Sequence, residues 1–382
     1  MKYKIVILCL ILMVGISCRE THEAGTSSGP EEFEPFLQPR IPFAPQYYTC
    51  CKALKKIKID GKLDEPSWLQ ADWTSDFQDI EGSLKPAPPL RTRAKMLWDE
   101  EYFYIGAELE EPHIWANLMQ RDSIIFFDND FEVFIDPDGD THRYYELEIN
   151  AYGTEWDLFL DRPYRDEGQA LHSWDIQGLR TGVHIMGTIN NPDDRDSGWS
   201  VEIAFPWKVL QECAPGGEPP SAGHVWRINF SRVEWQTEVV NGRYVKVEDP
   251  NTGKPLPENN WVWSPQGLIN MHYPEMWGYV LFSGISGGRR GESIEPKREE
   301  RAKWMLRSVY YHERNFFNKT GYFTQDLSLL NLDVPEETFG YVWPPQIQMT
   351  KDQFQAILKS EDGRETWNID QQGRVWRDEG NN

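Results

Sequence analysis

Between Asp128 and Asn150 the chain reads DNDFEVFIDPDGDTHRYYELEIN, two alternating runs joined by an acidic turn. Along Phe131–Ile135, Phe131, Val133 and Ile135 alternate with Glu132 and Phe134; along Tyr144–Asn150, Tyr145, Leu147 and Ile149 alternate with Glu146 and Glu148. A period of two is what a strand with one face on a core and the other toward solvent requires. The segment therefore predicts two strands that display carboxylates side by side on a rigid sheet face. Such a surface suits a polyol or a cation.

The same style of patterning extends through most of the chain. Short alternating runs are separated by turn clusters at 82–89, 136–140, 190–197, 215–223 and 249–260, which predicts a mainly β fold built as an antiparallel β-sandwich. One helical segment is expected around Pro206–Cys213. At 283–293 the glycine-rich run SGISGGRRGES reads as a hinge. Beyond it Ala302, Met305, Leu306, Val309, Tyr310, Phe316 and Phe317 fall at helical spacing, and 318–321 ends that helix. The remainder predicts a small meander with turns at Asp362-Gly363 and Gln372-Gly373, so residues 285–382 form a small C-terminal α+β appendage.

The formal charge of −22 argues against nucleic acid as a partner, because such a surface repels phosphate backbones. Aromatic residues make up 13% of the chain, including 17 Trp, enough for a large core with rings left over to stack on sugar faces. With Cys9 and Cys18 assigned to the N-terminal segment, Cys50, Cys51 and Cys213 remain. One of the adjacent pair could bridge to Cys213 in an oxidising compartment, or all three could be buried free thiols.

Met1–Ser17 carries Lys2 and Lys4 ahead of an apolar run at 5–16, the layout of a signal peptide. Cys18, preceded by Gly15-Ile16-Ser17, is similar to a bacterial lipoprotein cleavage site, with Gly15 where an aliphatic residue is usual. Lipidation at Cys18 would make the chain an outer-membrane or cell-surface lipoprotein; ordinary cleavage nearby would leave it periplasmic or secreted. In either case residues 18–45, rich in Glu, Pro, Ser and Gly, are expected to form a flexible tether. The main domain is then placed at 46–284.

Six blocks carry a family resemblance. IDGKLDEPSW (Ile59–Trp68), RAKMLWDEEYFYIGAELEE (Arg93–Glu111), DNDFEVFIDPDGD (Asp128–Asp140), GWSVEIAFPWKVL (Gly198–Leu210), VWRINFSRVEW (Val225–Trp235) and WGYVLFS (Trp277–Ser283) resemble, in order, carbohydrate-binding module family 9. The resemblance implies a jelly-roll-like binding sandwich. In sugar-binding members two tryptophans sandwich a terminal sugar while carboxylate, amide and arginine groups hold its hydroxyls. Here the first tryptophan position falls on Phe126 or Phe127, with Glu132 as the acid. The second falls among Met271, His272 and Tyr273, and the arginine position on Glu148. Arg121 and Asp122 stand just upstream as a charge partner or hydroxyl ligand, and Trp261 is a further aromatic candidate beside Trp156, Trp174 and Trp263. These four tryptophans are read first as core.

Asp136, Asp138 and Asp140 alternate round Gly139, an arrangement that suits calcium but is read first as a solvated hairpin turn, which selects the same residues. The resemblance, whose family holds structural calcium, adds some weight to the calcium alternative. Function then divides three ways. The leading expectation is an envelope-anchored, non-catalytic protein that binds polysaccharide or oligosaccharide beside glycan-degrading enzymes or an uptake system. A glycoside hydrolase would need a specific carboxylate pair, and no motif selects one. A haem or redox sandwich would rest on Met271, His272 and Met276, without any CxxCH.

Overall fold

A computed structural model describes residues 35–287 and 297–378; the signal segment, Cys18 and most of the glycine-rich hinge lie outside the described residues. The chain opens with β1 (Tyr47–Lys52), a short helix α1 (Pro66–Gln70), β2 (Gln78–Asp79), β3 (Thr92–Trp98) and β4 (Tyr102–Leu109). A meander follows: β5 (Asp130–Asp136), β6 (Tyr144–Asn150), β7 (Glu155–Leu160) and β8 (Ala170–Leu171). Then come β9 (Arg180–Met186), β10 (Gly198–Pro206), α2 (Trp207–Leu210) and β11 (Val225–Glu234). The hairpin β12 (Thr237–Val240) and β13 (Arg243–Lys246), then β14 (Asn259–Val262) and β15 (Gly278–Ser286), complete this part.

Thirteen of these strands share one sheet, in the order β8-β7-β6-β5-β11-β15-β1-β3-β4-β10-β9, with β14 beside β11 and β2 beside β14. The sheet doubles over into a sandwich. Phe131, Val133, Ile135, Tyr145, Leu147 and Ile149 from one half share a core with Met96, Phe103, Ile105, Trp199, Val201 and Ile203 from the other. Pairing is antiparallel except at β1, which runs parallel to both β15 and β3. β1 is the seam where one leaf passes into the other.

The predicted period of two holds on β5 and β6: their odd-numbered side chains from Phe131 to Ile135 and Tyr145 to Ile149 enter the main core. The opposite face is not solvated as expected. Every residue of both strands is buried, because residues 258–277 fold over that face. At the far end of the sandwich Glu202 accepts the N–H groups of Asp60 and Gly61 at 2.7 Å and the Trp68 indole N–H at 2.6 Å. Gly61 there has φ +85°, and a Cβ would stand 2.4 Å from the backbone of Val183 and His184.

The C-terminal part is α3 (Arg298–Thr320), ended by Gly321 in the left-handed region (φ 76°), and a four-stranded sheet of β16 (Gln346–Met349), β17 (Phe354–Lys359), β18 (Thr366–Asp370) and β19 (Val375–Arg377). It is docked on the sandwich. Leu306, Val309 and Tyr310 of α3 share a second core with Ala356, Leu358 and Ile369 and with Leu268, Tyr273 and Met276 of the sandwich. Phe36, Ile41 and Phe43 pack against the same core, so the stretch from Pro35 to Pro45 is not the free tether expected for it. Apolar side chains within that polar stretch give the reason.

A buried ionic network reinforces the joint. Arg165 meets Glu275 at 2.9 Å, Asp166 meets Arg314 at 2.9 Å and accepts the Tyr310 hydroxyl at 2.5 Å, and Tyr311 donates to Glu275. Cys50, Cys51 and Cys213 are free and buried, which selects the thiol alternative over a bridge. No described helix is long and apolar enough to cross a membrane.

Candidate functional site

The register of the β11-β5-β6-β7 ribbon builds the site. Ser231, Glu132, Glu148 and Trp156 form one cross-strand row, and Asn229, Phe134, Glu146 and Leu158 form the next. All stand on the face turned away from the main core. Asp130 precedes Glu132 by two residues and shares that face. Over it lies a cleft of about 260 Å3, walled by Phe126, Tyr164, Glu258, Asn260 and the loop Ile269–His272.

The wall residues are held by their own bonds. Glu148 Oε2 accepts the Phe126 N–H at 2.9 Å. The Tyr144 hydroxyl and His272 Nδ1 are 2.9 Å apart, and the His272 N–H donates to Asn270 Oδ1 at 2.8 Å. The Trp277 indole N–H donates to Met271 O at 2.9 Å. Tyr164 stands edge-on to His272, ring centroids 4.5 Å apart, and leaves 45% of its surface exposed in the cleft. Trp156 is stacked on His172 and nearly buried.

Electrostatically the floor is one-signed. Glu132, Glu146, Glu148 and Glu258 line the cleft, and among the described residues no Lys or Arg does. Burial pushes Glu132 up to about 7, with Ser231 opposing and Glu258 adding to the rise. Burial and then the Glu132 charge push Glu146, Glu148 and Asp130 well above the usual carboxylate range. Burial, followed by Arg165, lowers His272 to about 3, so it is a neutral ring near pH 7. Burial, with Glu146 and Glu148 behind it, lifts Tyr164 to about 12, and its hydroxyl keeps its proton.

Of the expected site residues, Glu132, Phe126, Glu148 and His272 converge on this cleft. The others do not. Phe127 is 49% exposed and faces Lys246, 5.5 Å from its ring centroid. Arg121 is committed outside the cleft to Glu155, Asp157 and Asp175. Tyr273 sits in the second core with Arg165 over its ring at 4.1 Å, and its hydroxyl donates to Leu37 O. Trp261 and Trp263 are in the main core, as is the ring that Trp174 packs against.

Sequence reasoning missed Tyr164, Glu258, Asn260 and Ile269, which arrive from a 3-10 turn, the start of β14 and the loop after it, with no pattern that links them to the cleft. Glu146 and Trp156 were legible as neighbours in register, since both lie on the Glu132 face. At the β5–β6 turn, Asp136, Asp138 and Asp140 bring oxygens within 4.8 Å of one another. These carboxylates also shape the turn, accepting the N–H groups of Gly139, Thr141, Asp140 and His142.

Comparison with known proteins adds relatives. Residues 155 in number, 40% of this chain, are 26% identical to Exoglucanase XynX of Acetivibrio thermocellus, covering 12% of that protein. Endo-1,4-beta-xylanase A of Thermoanaerobacterium saccharolyticum is 26% identical over 155 residues, 11% of its length. The chain thus spans about a tenth of either relative. Among solved structures, a family 9 carbohydrate-binding module of Caldicellulosiruptor kristjanssonii in complex with cellotriose covers 66% of this chain and all of its own at 15% identity, TM-score 0.41. A putative carbohydrate-binding protein from Bacteroides uniformis covers 63% at 15% identity, TM-score 0.45. The family described as carbohydrate family 9 binding domain-like matches residues 59–262, more than half of the chain, across the strands that build the cleft. The chain belongs to that family.

Proposed function

We propose that this protein binds a neutral oligosaccharide or polysaccharide in the cleft above Glu132 and does not cleave it. The observation that carries the reading is the cross-strand row Glu132–Glu148–Trp156 on the floor of an aromatic-walled cleft. Carboxylates accept sugar hydroxyls, and the exposed Tyr164 ring offers an apolar face for a pyranose. Four carboxylates and, among the described residues, no cationic side chain in the wall disfavour uronic acids and sulfated glycans. Glucans and xylans are the first candidates, given the names of the relatives.

Export follows from the Lys2/Lys4 and apolar 5–16 pattern, and lipidation at Cys18 would hold the protein at the envelope near glycan-degrading enzymes or an uptake system. Structural calcium at Asp136, Asp138 and Asp140 is a separate proposal, supported by their mutual 4.8 Å limit. The test is binding to a glycan array that includes cello- and xylo-oligosaccharides, with recovered glycans checked for shortening. Glu132→Ala should weaken binding about tenfold or more, ~1.4 kcal/mol, with little change in Tm. Shortened glycans would instead assign Glu132 and Glu148 to hydrolysis, and intact binding in the variant would move Glu132 out of the site.

A further inference from the structure

Three groups of acids among the described residues bring one oxygen each within 4.8 Å of the others. Asp122, Asp157 and Asp175 surround the Arg121 guanidinium, which already neutralises them. Asp136, Asp138 and Asp140 are tied to backbone N–H groups, and Asp140 also to Arg374 at 3.0 Å. The third group, Asp130, Glu132 and Glu148, has no cation beside it, and backbone donors reach it only as one N–H on Glu148, from Phe126, and one on Asp130, from Val233. None of the three is in an ion pair, although all are buried. Glu132 and Glu148 stand directly opposite in register, where like charges repel.

The hydrogen bonds of this group are unfinished. Asp130 is fully buried, and while its Oδ1 accepts the Val233 N–H at 3.3 Å, its Oδ2 accepts nothing. Glu146, the neighbour of Glu148 on the same face, has an unpartnered Oε2 as well. A buried carboxylate oxygen without a donor is costly and calls for a partner. Here two such oxygens, one on Asp130 and one on its neighbour Glu146, call for the same kind of partner: something positive and small. Ligand oxygens on a sphere of about 2.4 Å radius, the calcium–oxygen distance, lie at most ~4.8 Å apart. One oxygen each of Asp130, Glu132 and Glu148 lies within that span of the others, so a single ion can reach all three.

We infer that Asp130, Glu132 and Glu148 form a divalent-cation site of calcium type in the cleft floor, separate from the acidic β5–β6 turn. Calcium takes about six to eight oxygens, and three side chains cannot fill that shell. Glu132 and Glu148 face the cleft, so the open positions face it too. Water would occupy them in the free protein. Resting on the binding reading above, vicinal hydroxyls of a sugar would replace that water, so that the ion and not a cationic side chain draws the ligand down.

The experiment titrates the purified protein, first stripped with chelator, with calcium chloride by calorimetry and with terbium by Trp-sensitised luminescence. The comparison set is the double variant Asp130→Asn/Glu132→Gln, the single variant Glu148→Gln in case the double does not fold, and Asp138→Asn. Wild type should bind calcium below about 1 mM, the weak end for extracellular sites, and melt higher with it than in chelator. The double variant, or Glu148→Gln in its place, should bind one ion fewer and lose its share of the Tm rise, whereas Asp138→Asn keeps the cleft ion. Wild-type protein that takes no calcium, or a double variant that takes as much as wild type, would overturn the inference. Oligosaccharide binding with and without chelator completes the series: calcium bound but no sugar held in either state leaves the ion site standing and removes the sugar reading.

Discussion

Ile269 is the residue whose replacement separates ligand contact from folding most cleanly. It lines the cleft yet is 69% exposed, the most exposed apolar side chain there. The loop that carries it is fixed without it: Leu268 is buried in the second core, Asn270 caps His272, and Met271 is held by the Trp277 indole. Ile269→Ser should therefore change stability by less than about 0.5 kcal/mol. A pyranose face that covers roughly 40 Å2 of this side chain gains about 1 kcal/mol at ~25 cal/mol per Å2. That corresponds to about a fivefold weaker Kd for the variant.

Calorimetry with the oligosaccharide selected by the array reads the affinity, and a thermal melt reads the stability. An unchanged Kd with unchanged Tm would mean that the ligand does not reach this wall, and the cleft would lose its role as the binding surface. A Tm lowered by several degrees would refute the argument that the loop is anchored independently of Ile269.

Gly61→Ala should destabilise by roughly 3 kcal/mol or more, because φ +85° and backbone at 2.4 Å leave no room for the methyl; a denaturant midpoint equal to wild type would contradict that packing. Arg165→Met should cost about 3 kcal/mol by stripping Glu275 of its closest cation. The same pair predicts an acid limb. Burial would raise Glu275, but Arg165 and then Arg307 outweigh it and hold the carboxyl at about 2, below its ordinary 4.5. Stability from this group is complete above pH 4.5 and lost as pH falls toward about 2. Acid titration of Arg165→Met, followed by tryptophan fluorescence, should show unfolding at higher pH than wild type; superimposable curves would refute the role of Arg165.

The sandwich was legible because its signals are local and repeated. Alternation on β5 and β6 gives both faces of the hairpin, and α3 announces itself by spacing and by Gly321. Half of the site was legible for the same reason, since Glu132, Glu146 and Glu148 follow from register alone. The rest depends on what crosses above the strands. Tyr164 and Ile269 come from loops whose positions are set by the second core and by the Arg165–Glu275 pair, and Asn260 from the short strand β14, none of which has a periodic trace that marks the cleft in sequence. Tyr273 shows the converse error. One residue from His272, it turns the opposite way into the second core, because the polypeptide there begins a 3-10 turn at Pro274 and no strand alternation applies.

That covering also changes what the carboxylates mean. On a solvated sheet face Glu132 and Glu148 would be ordinary surface acids, each worth little. Buried opposite each other with oxygens within 4.8 Å, they would repel by at least about 3.5 kcal/mol at an effective dielectric of ~20 if both are charged. Asp130 and Glu146 add to the strain from the same face. A sheet needed only for packing would gain stability by carrying apolar residues at these positions, as the other face of the same two strands does. The sandwich tolerates the penalty because its large core lies on the opposite face and the second core clamps the covering loop. A cost carried on that one face, in a cleft open to solvent, is what a site prepared for a positive or hydroxyl-rich ligand looks like before the ligand arrives.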